Sequence, residues 1–122
     1  MLRLLRLNAR RTKGDLDGAI SDYTKAISLS PKFTRAYYNR GAAYQARGDL
    51  SWAIADYDSA IRDDPEFIDA YVNRAQVKLL LKDTAGAIQD YNKAVDLKPD
   101  SGDDPGLKPS YKSFIQNRRR SQ

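Results

Sequence analysis

The chain has 122 residues, of which 41% are hydrophobic and 30% charged, a globular balance for one small domain, and no stretch nears the ~18 consecutive apolar residues of a membrane span. Cysteine and histidine are both absent, which excludes disulfides, thiolate chemistry, zinc sites of the usual ligand types and the commonest general base. The formal charge of +5 is carried by the two ends. Residues 1–13 hold five Lys or Arg and residues 105–122 hold five more, neither with an acid, so the middle has 11 basic and 16 acidic residues, a net of −5.

Residues 1–13 are rich in Arg and Leu. Their leucines at 2, 4, 5 and 7 suggest a degraded first helix packing on the next, with a targeting or membrane-surface segment as the alternative for a basic amphipathic stretch. Gly14-Asp15 is expected to reverse the chain, glycine accepting left-handed angles and aspartate capping the helix that follows, Asp17–Leu29. Pro31 then ends that helix, because proline lacks an N–H and drives the preceding residue from helical angles.

From about Thr34 to Arg47, Tyr37, Arg40, Gly41 and Tyr44 fall at i, i+3, i+4 and i+7, one face of a helix. Gly48-Asp49 is the next reversal, and Ala53, Ile54, Tyr57, Ala60 and Ile61 mark the helix after it, closed by Pro65. A shift of 34 residues carries this pattern backward and forward. Ala19-Ile20, Asp22-Tyr23 and Ala26-Ile27 align with Ala53-Ile54, Asp56-Tyr57 and Ala60-Ile61, and with Ala87-Ile88, Asp90-Tyr91 and Ala94-Val95. Tyr37, Asn39 and Arg40 align with Tyr71, Asn73 and Arg74, and Pro31 with Pro65 and Pro99. Such periodicity signals stacked helical hairpins. Small residues at Ala19, Ala53, Ala87, Gly41 and Ala75 let the helices of a hairpin approach, with tyrosines filling the space around them. In the third unit Lys82-Asp83 replaces Gly-Asp, which predicts a less ideal turn.

Beyond Pro99, Asp103-Asp104-Pro105-Gly106, like Asp63-Asp64-Pro65-Glu66, is an acidic cluster without calcium-loop spacing and reads as a solvated turn. Tyr111, Phe114, Ile115 and Arg118 then predict a capping helix over Pro109–Arg119, covering the last hairpin and followed by a solvated basic tail. Trp52, early in its helix, is expected to be partly exposed.

Tyr37, Gly41, Tyr44, Ala53, Tyr57, Ala60 and Pro65, followed in phase by Tyr71, Ala75, Ala87, Tyr91, Ala94 and Pro99, resemble the tetratricopeptide-repeat (TPR) signature. Arg40 departs where leucine is usual, Lys78 where an aromatic is usual, and the first unit matches only from Gly14. The resemblance implies an all-α fold, a right-handed α-solenoid of stacked antiparallel helical hairpins, with TPR 1 ending at residue 33, TPR 2 over 34–67, TPR 3 over 68–101 and a loop and capping helix over 102–122.

It also implies a binding groove lined by the first helix of each repeat, which receives a peptide or helix of a partner protein. On this sequence the groove positions are Arg35, Tyr38, Asn39, Ala42 and Gln45, then Asp69, Val72, Asn73, Gln76 and Leu79. Asn39 and Asn73 are equivalent, and an amide that both donates and accepts can bond successive peptide groups of a bound chain, as in the asparagine ladders of long TPR superhelices; the alternative is that they bridge repeats. Some TPR co-chaperones clamp a C-terminal carboxylate with basic side chains. Here Asn39 and Asn8 fall at clamp positions, but Leu4, Asp69 and Asn73 occupy the basic ones, so that clamp is expected to be absent.

The function expected is a scaffold or adaptor without cofactor, metal or catalytic step, located in the cytoplasm unless the basic N-terminus is a targeting segment. Without His, Cys or a glycine-rich phosphate loop, an enzyme would be left with carboxylate or lysine chemistry. A nucleic-acid partner, held by the basic termini, is disfavoured. Three repeats are about the minimum for independent stability, which leaves self-association through an end face open.

Overall fold

A computed structural model describes residues 13–99 and 106–121, which form six helices and no strand. In chain order they are α1 (Lys13–Leu29), α2 (Thr34–Arg47), α3 (Leu50–Asp63), α4 (Ile68–Leu80), α5 (Thr84–Leu97) and α6 (Pro109–Arg120). The expectations for leucines 2, 4, 5 and 7 and for Asp103-Asp104 fall outside the described residues. Among the described residues no helix is long and apolar enough to cross a membrane. The chain divides into two compact units, one ending at Pro65 and the other beginning at Glu66.

In the first unit α2 packs on both α1 and α3. Leu16 and Ile20 of α1 join Ala43 of α2 in one apolar cluster, with Tyr44 packed against it. Between α2 and α3 the approach is close: a Cβ on Gly41 would lie 2.9 Å from Cε1 of Tyr57 and 3.2 Å from Cβ of Asp56. The facing Ala53, Tyr57 and Ala60 have no exposed surface. Small residues at the crossing therefore bring the backbones together, and the tyrosine ring fills the volume they leave.

The expectation that Gly14 reverses the chain is wrong. Gly14 lies inside α1, which runs unbroken from Lys13, and the positive-φ residues among those described are Gly48 and Lys82. At Gly48 the expected turn forms: the residue takes φ 91°, its N–H donates to Gln45 O (3.1 Å) and that of Asp49 to Tyr44 O (2.9 Å). This is a Schellman closure, which satisfies carbonyls at the end of α2. Asp49, however, makes no side-chain cap; its carboxylate pairs with Arg47 at 2.5 Å, and Arg47 reaches Asp17 of α1 at 2.6 Å. These two partners raise the Arg47 pKa, Asp17 first.

In the second unit the turn between α4 and α5 repeats the closure with a lysine. Lys82 adopts φ 67°, donating to Leu79 O (3.0 Å), and Asp83 donates to Lys78 O (2.8 Å). A side chain at this left-handed position costs about 1 kcal/mol relative to glycine. Asp83 works against that cost by capping α5, its carboxylate accepting from the Gly86 N–H at 3.0 Å, a contact typically worth about 1 kcal/mol. Asp64 and Lys98, which precede Pro65 and Pro99, take extended angles (φ −139° and −146°) and end α3 and α5. The capping helix is present as α6, one residue longer than expected. Its Tyr111 and Phe114 rings sit 5.3 and 5.2 Å from the Tyr91 ring of α5, and Arg118 bonds Asn92 and Asp96 at 3.1 and 3.3 Å.

The departure at Arg40 has a structural reason. Its guanidinium donates two bonds of 2.8 Å to the carboxylate of Asp56 across the hairpin and one of 3.1 Å to Thr24 of α1. Arg74 grips Asp90 in the same way at 2.8 and 2.6 Å. Lys78, the other departure, adds its ammonium to Asp90 at 3.1 Å. Both aspartates are 4% exposed, and a carboxylate at that depth must be paired. The Asp56 hydrogen bonds are the largest influence raising the Arg40 pKa, with burial opposing them. Arg40→Leu, although it installs the family's usual residue, should cost about 3 kcal/mol by leaving Asp56 buried and unpaired. The double change Arg40→Leu, Asp56→Leu should recover most of that loss, as read by urea denaturation.

Candidate functional site

The ten groove positions lie on α2 and α4, and the two helices present them differently. On α2, Arg35 is exposed, while Tyr38, Asn39, Ala42 and Gln45 are half-buried. Two of these also serve the hairpin. The Tyr38 ring lies 5.9 Å from that of Tyr57, and Gln45 Oε1 accepts from the Tyr57 hydroxyl at 2.7 Å. Asn39, on the adjacent face of the helix, has no side-chain hydrogen bond among the described residues, where its amide is available as donor and acceptor. Ala42, one turn away, keeps the surface beside it low.

On α4, Asp69 is exposed and Gln76 and Leu79 are half-buried, but Val72 and Asn73 are closed off at 6% and 3% exposure. Asn73 is not equivalent to Asn39 in its surroundings. Its Oδ1 accepts from the ammonium of Lys108 at 2.5 Å, and Gln76 Oε1 lies 3.4 Å from the same nitrogen. Lys108 comes from outside the repeat, at the position that caps α6. The Asn73 position is neutral in sequence, and the fold brings a cation to it.

Leu79 explains a second inequality. It stands where Gln45 stands in the preceding hairpin, and its hydrocarbon cannot accept a bond from Tyr91, the counterpart of Tyr57. The Tyr91 hydroxyl is buried without a hydrogen-bond partner among the described residues. Burial raises its pKa; the nearby Ser110 hydroxyl opposes this without reaching hydrogen-bond geometry.

Away from these faces, Trp52 is 64% exposed, as expected, and stacks on Tyr44 with ring centroids 6.0 Å apart. The guanidinium carbons of Arg40 and Arg47 lie 5.8 and 5.5 Å from the same tyrosine ring.

Family models for the TPR repeat match residues 8–48, 34–67 and 68–101. The chain belongs to the tetratricopeptide-repeat family. Its TPR fold is shared with solved domains. The TPR domain of Sgt2 from Aspergillus fumigatus is 26% identical, with a TM-score of 0.73 over 93% of this chain and 72% of that one. The TPR2B domain of yeast Sti1, solved in a complex with pHsp70, is 28% identical, with a TM-score of 0.71 over 90% and 87%. The first TPR of Spaghetti (RPAP3), bound to the HSP90 peptide SRMEEVD, is 22% identical, with a TM-score of 0.73 over 89% and 81%, a likeness of fold. No curated protein sequence matches the chain.

The two tyrosines should respond oppositely to loss of the hydroxyl. Tyr57→Phe removes a bond to a half-buried glutamine and should cost about 1 kcal/mol. Tyr91→Phe removes a buried hydroxyl without a partner and should be neutral or stabilising. Urea unfolding of the two variants in parallel checks the difference.

Proposed function

We propose that this TPR chain is a protein-interaction module whose first-helix faces receive a peptide or helix of a partner protein, in a scaffold or adaptor role without a catalytic step. The observation that carries the proposal is the α2 face. Asn39 offers an amide unengaged among the described residues, beside exposed Arg35 and small Ala42, on a helix packed by α1 on one side and α3 on the other. A backbone held that firmly can align an amide with the peptide groups of a bound chain without a large ordering cost. The peptide and Hsp70 complexes formed by the structural neighbours support the same reading. On α4 the corresponding positions are Asp69, Val72, Asn73, Gln76 and Leu79. An exposed carboxylate at Asp69 disfavours a partner ending in a carboxylate, and the ammonium that Lys108 brings to the Asn73 position is already engaged by the Asn73 and Gln76 oxygens.

The second reading is association with nucleic acid or an anionic membrane surface. It draws on α6, which has no acid and three arginines in its last turn. Those arginines also complement the negative end of the helix dipole, so the charge run has a structural use of its own.

Affinity capture from the source cell's lysate separates the readings. The wild type is compared with Asn39→Ala, Ala42→Glu, which alters the α2 face, and with Arg119→Glu, Arg120→Glu, which alters the tail. We expect a defined protein to be retained by the wild type and the tail variant and to be lost from the α2 variant. Retention that survives the α2 change, fails with the tail change and collapses steeply between low and moderate salt would overturn the proposal in favour of the anionic partner.

A further inference from the structure

The α4 face differs from the α2 face in one respect that bears on binding: the carbonyl oxygen of its central amide is bonded by a lysine from outside the repeat. Asn73 is 3% exposed, and among its contacts is Lys108, which bonds Asn73 Oδ1 at 2.5 Å and approaches Gln76 Oε1 to 3.4 Å. Lys108 is tethered from behind. Pro109, the next residue, opens α6, and the helix is anchored by the Tyr111 and Phe114 rings against Tyr91 and by Arg118 against Asn92 and Asp96. The ammonium is therefore held at high local concentration over an acceptor that it would otherwise reach rarely. Its own hydrogen bond is charge-assisted, the stronger class of side-chain bond.

We propose that Lys108 is an intramolecular latch: it occupies the Asn73 and Gln76 amides in the unliganded chain and must withdraw before a partner's backbone can bond to them. The proposal rests on the reading of the first-helix faces as the peptide site. It makes the two amides unequal, Asn39 of α2 without a side-chain hydrogen bond among the described residues and Asn73 of α4 held by the Lys108 bond. Lysine suits this role, because a flexible stem lets the ammonium leave while α6 stays docked. Apparent affinity is reduced by the fraction of molecules in which the face is open, so removing the ammonium should tighten binding without adding a contact.

The test uses the full chain and Lys108→Met, which keeps an unbranched stem and removes the charge. Peptides selected from a random-sequence display library on the Lys108→Met chain are synthesised and titrated into both proteins, with the side-chain amide signals of Asn39, Asn73 and Gln76 followed by NMR. The latch predicts that the free proteins differ in the Asn73 amide signals. It also predicts that peptides shift the Asn73 and Gln76 amides on binding, and that Lys108→Met binds them about three- to tenfold more tightly than the wild type. Identical Asn73 signals in the two free proteins would mean the latch does not form. Equal or weaker binding by Lys108→Met, with the shifts still on α2 and α4, would overturn the latch while leaving the peptide site intact. Shifts confined to other surfaces, or failure to select any peptide, would overturn both readings together.

Discussion

A buried aspartate gripped by an arginine from the facing helix is the interaction on which each hairpin depends. Asp56 and Asp90 sit at the crossings of α2 with α3 and of α4 with α5, where Gly41 or Ala75 lets the backbones close in. An unpaired carboxylate in that position would be a large penalty, so the α2–α3 hairpin forms with Arg40 in place or is severely weakened, while Asp90 keeps Lys78 as a second cation beside Arg74. The bidentate fork also sets direction: two parallel N–H donors meet two oxygens in one orientation of the helices, which apolar packing alone specifies less sharply. In the first unit the same guanidinium bonds Thr24, so one side chain ties α2 to both of its neighbours.

With the inner side of each hairpin fixed in this way, the outer positions of the first helices are free to diverge, and they do. Gln45 satisfies Tyr57, whereas Leu79 leaves Tyr91 with a buried hydroxyl. Gly48 makes a relaxed left-handed turn, whereas Lys82 makes the same turn at a cost that the Asp83 cap offsets. Asn39 has no side-chain hydrogen bond among the described residues, whereas Asn73 is engaged by Lys108. The second hairpin thus carries the strain, the orphaned hydroxyl and the engaged amide, and the first carries the relaxed turn and the satisfied tyrosine. Repetition preserves the packing while a handful of substitutions make the two faces chemically distinct.

The hairpins were legible in the sequence because their determinants recur every 34 residues: Ala53 and Ala87, Tyr57 and Tyr91, Pro65 and Pro99 hold the same roles at the same phase. Periodicity also contained the ion pairs, since Arg40 and Arg74 recur with Asp56 and Asp90, but Arg40 read as a lapse from the family pattern until its partner was seen. Gly14 misled for the opposite reason. It lies in phase with Gly48, yet a glycine permits a left-handed turn without requiring one, and α1 runs through it. Lys108 was illegible because nothing local ties it to Asn73. A contact between a repeat and the segment that follows it has no period, and only the docking of α6 brings the two together.

The central claim is that a partner binds the first-helix side of the hairpins rather than their outer side. Site-specific photo-crosslinking tests it most directly, with a benzophenone amino acid placed at Ala42 on α2 in one protein and at exposed Ala55 on α3 in another, each irradiated in the source cell's lysate. The account predicts a discrete crosslinked partner from position 42 and none from position 55. The same partner captured from position 55 alone would contradict it.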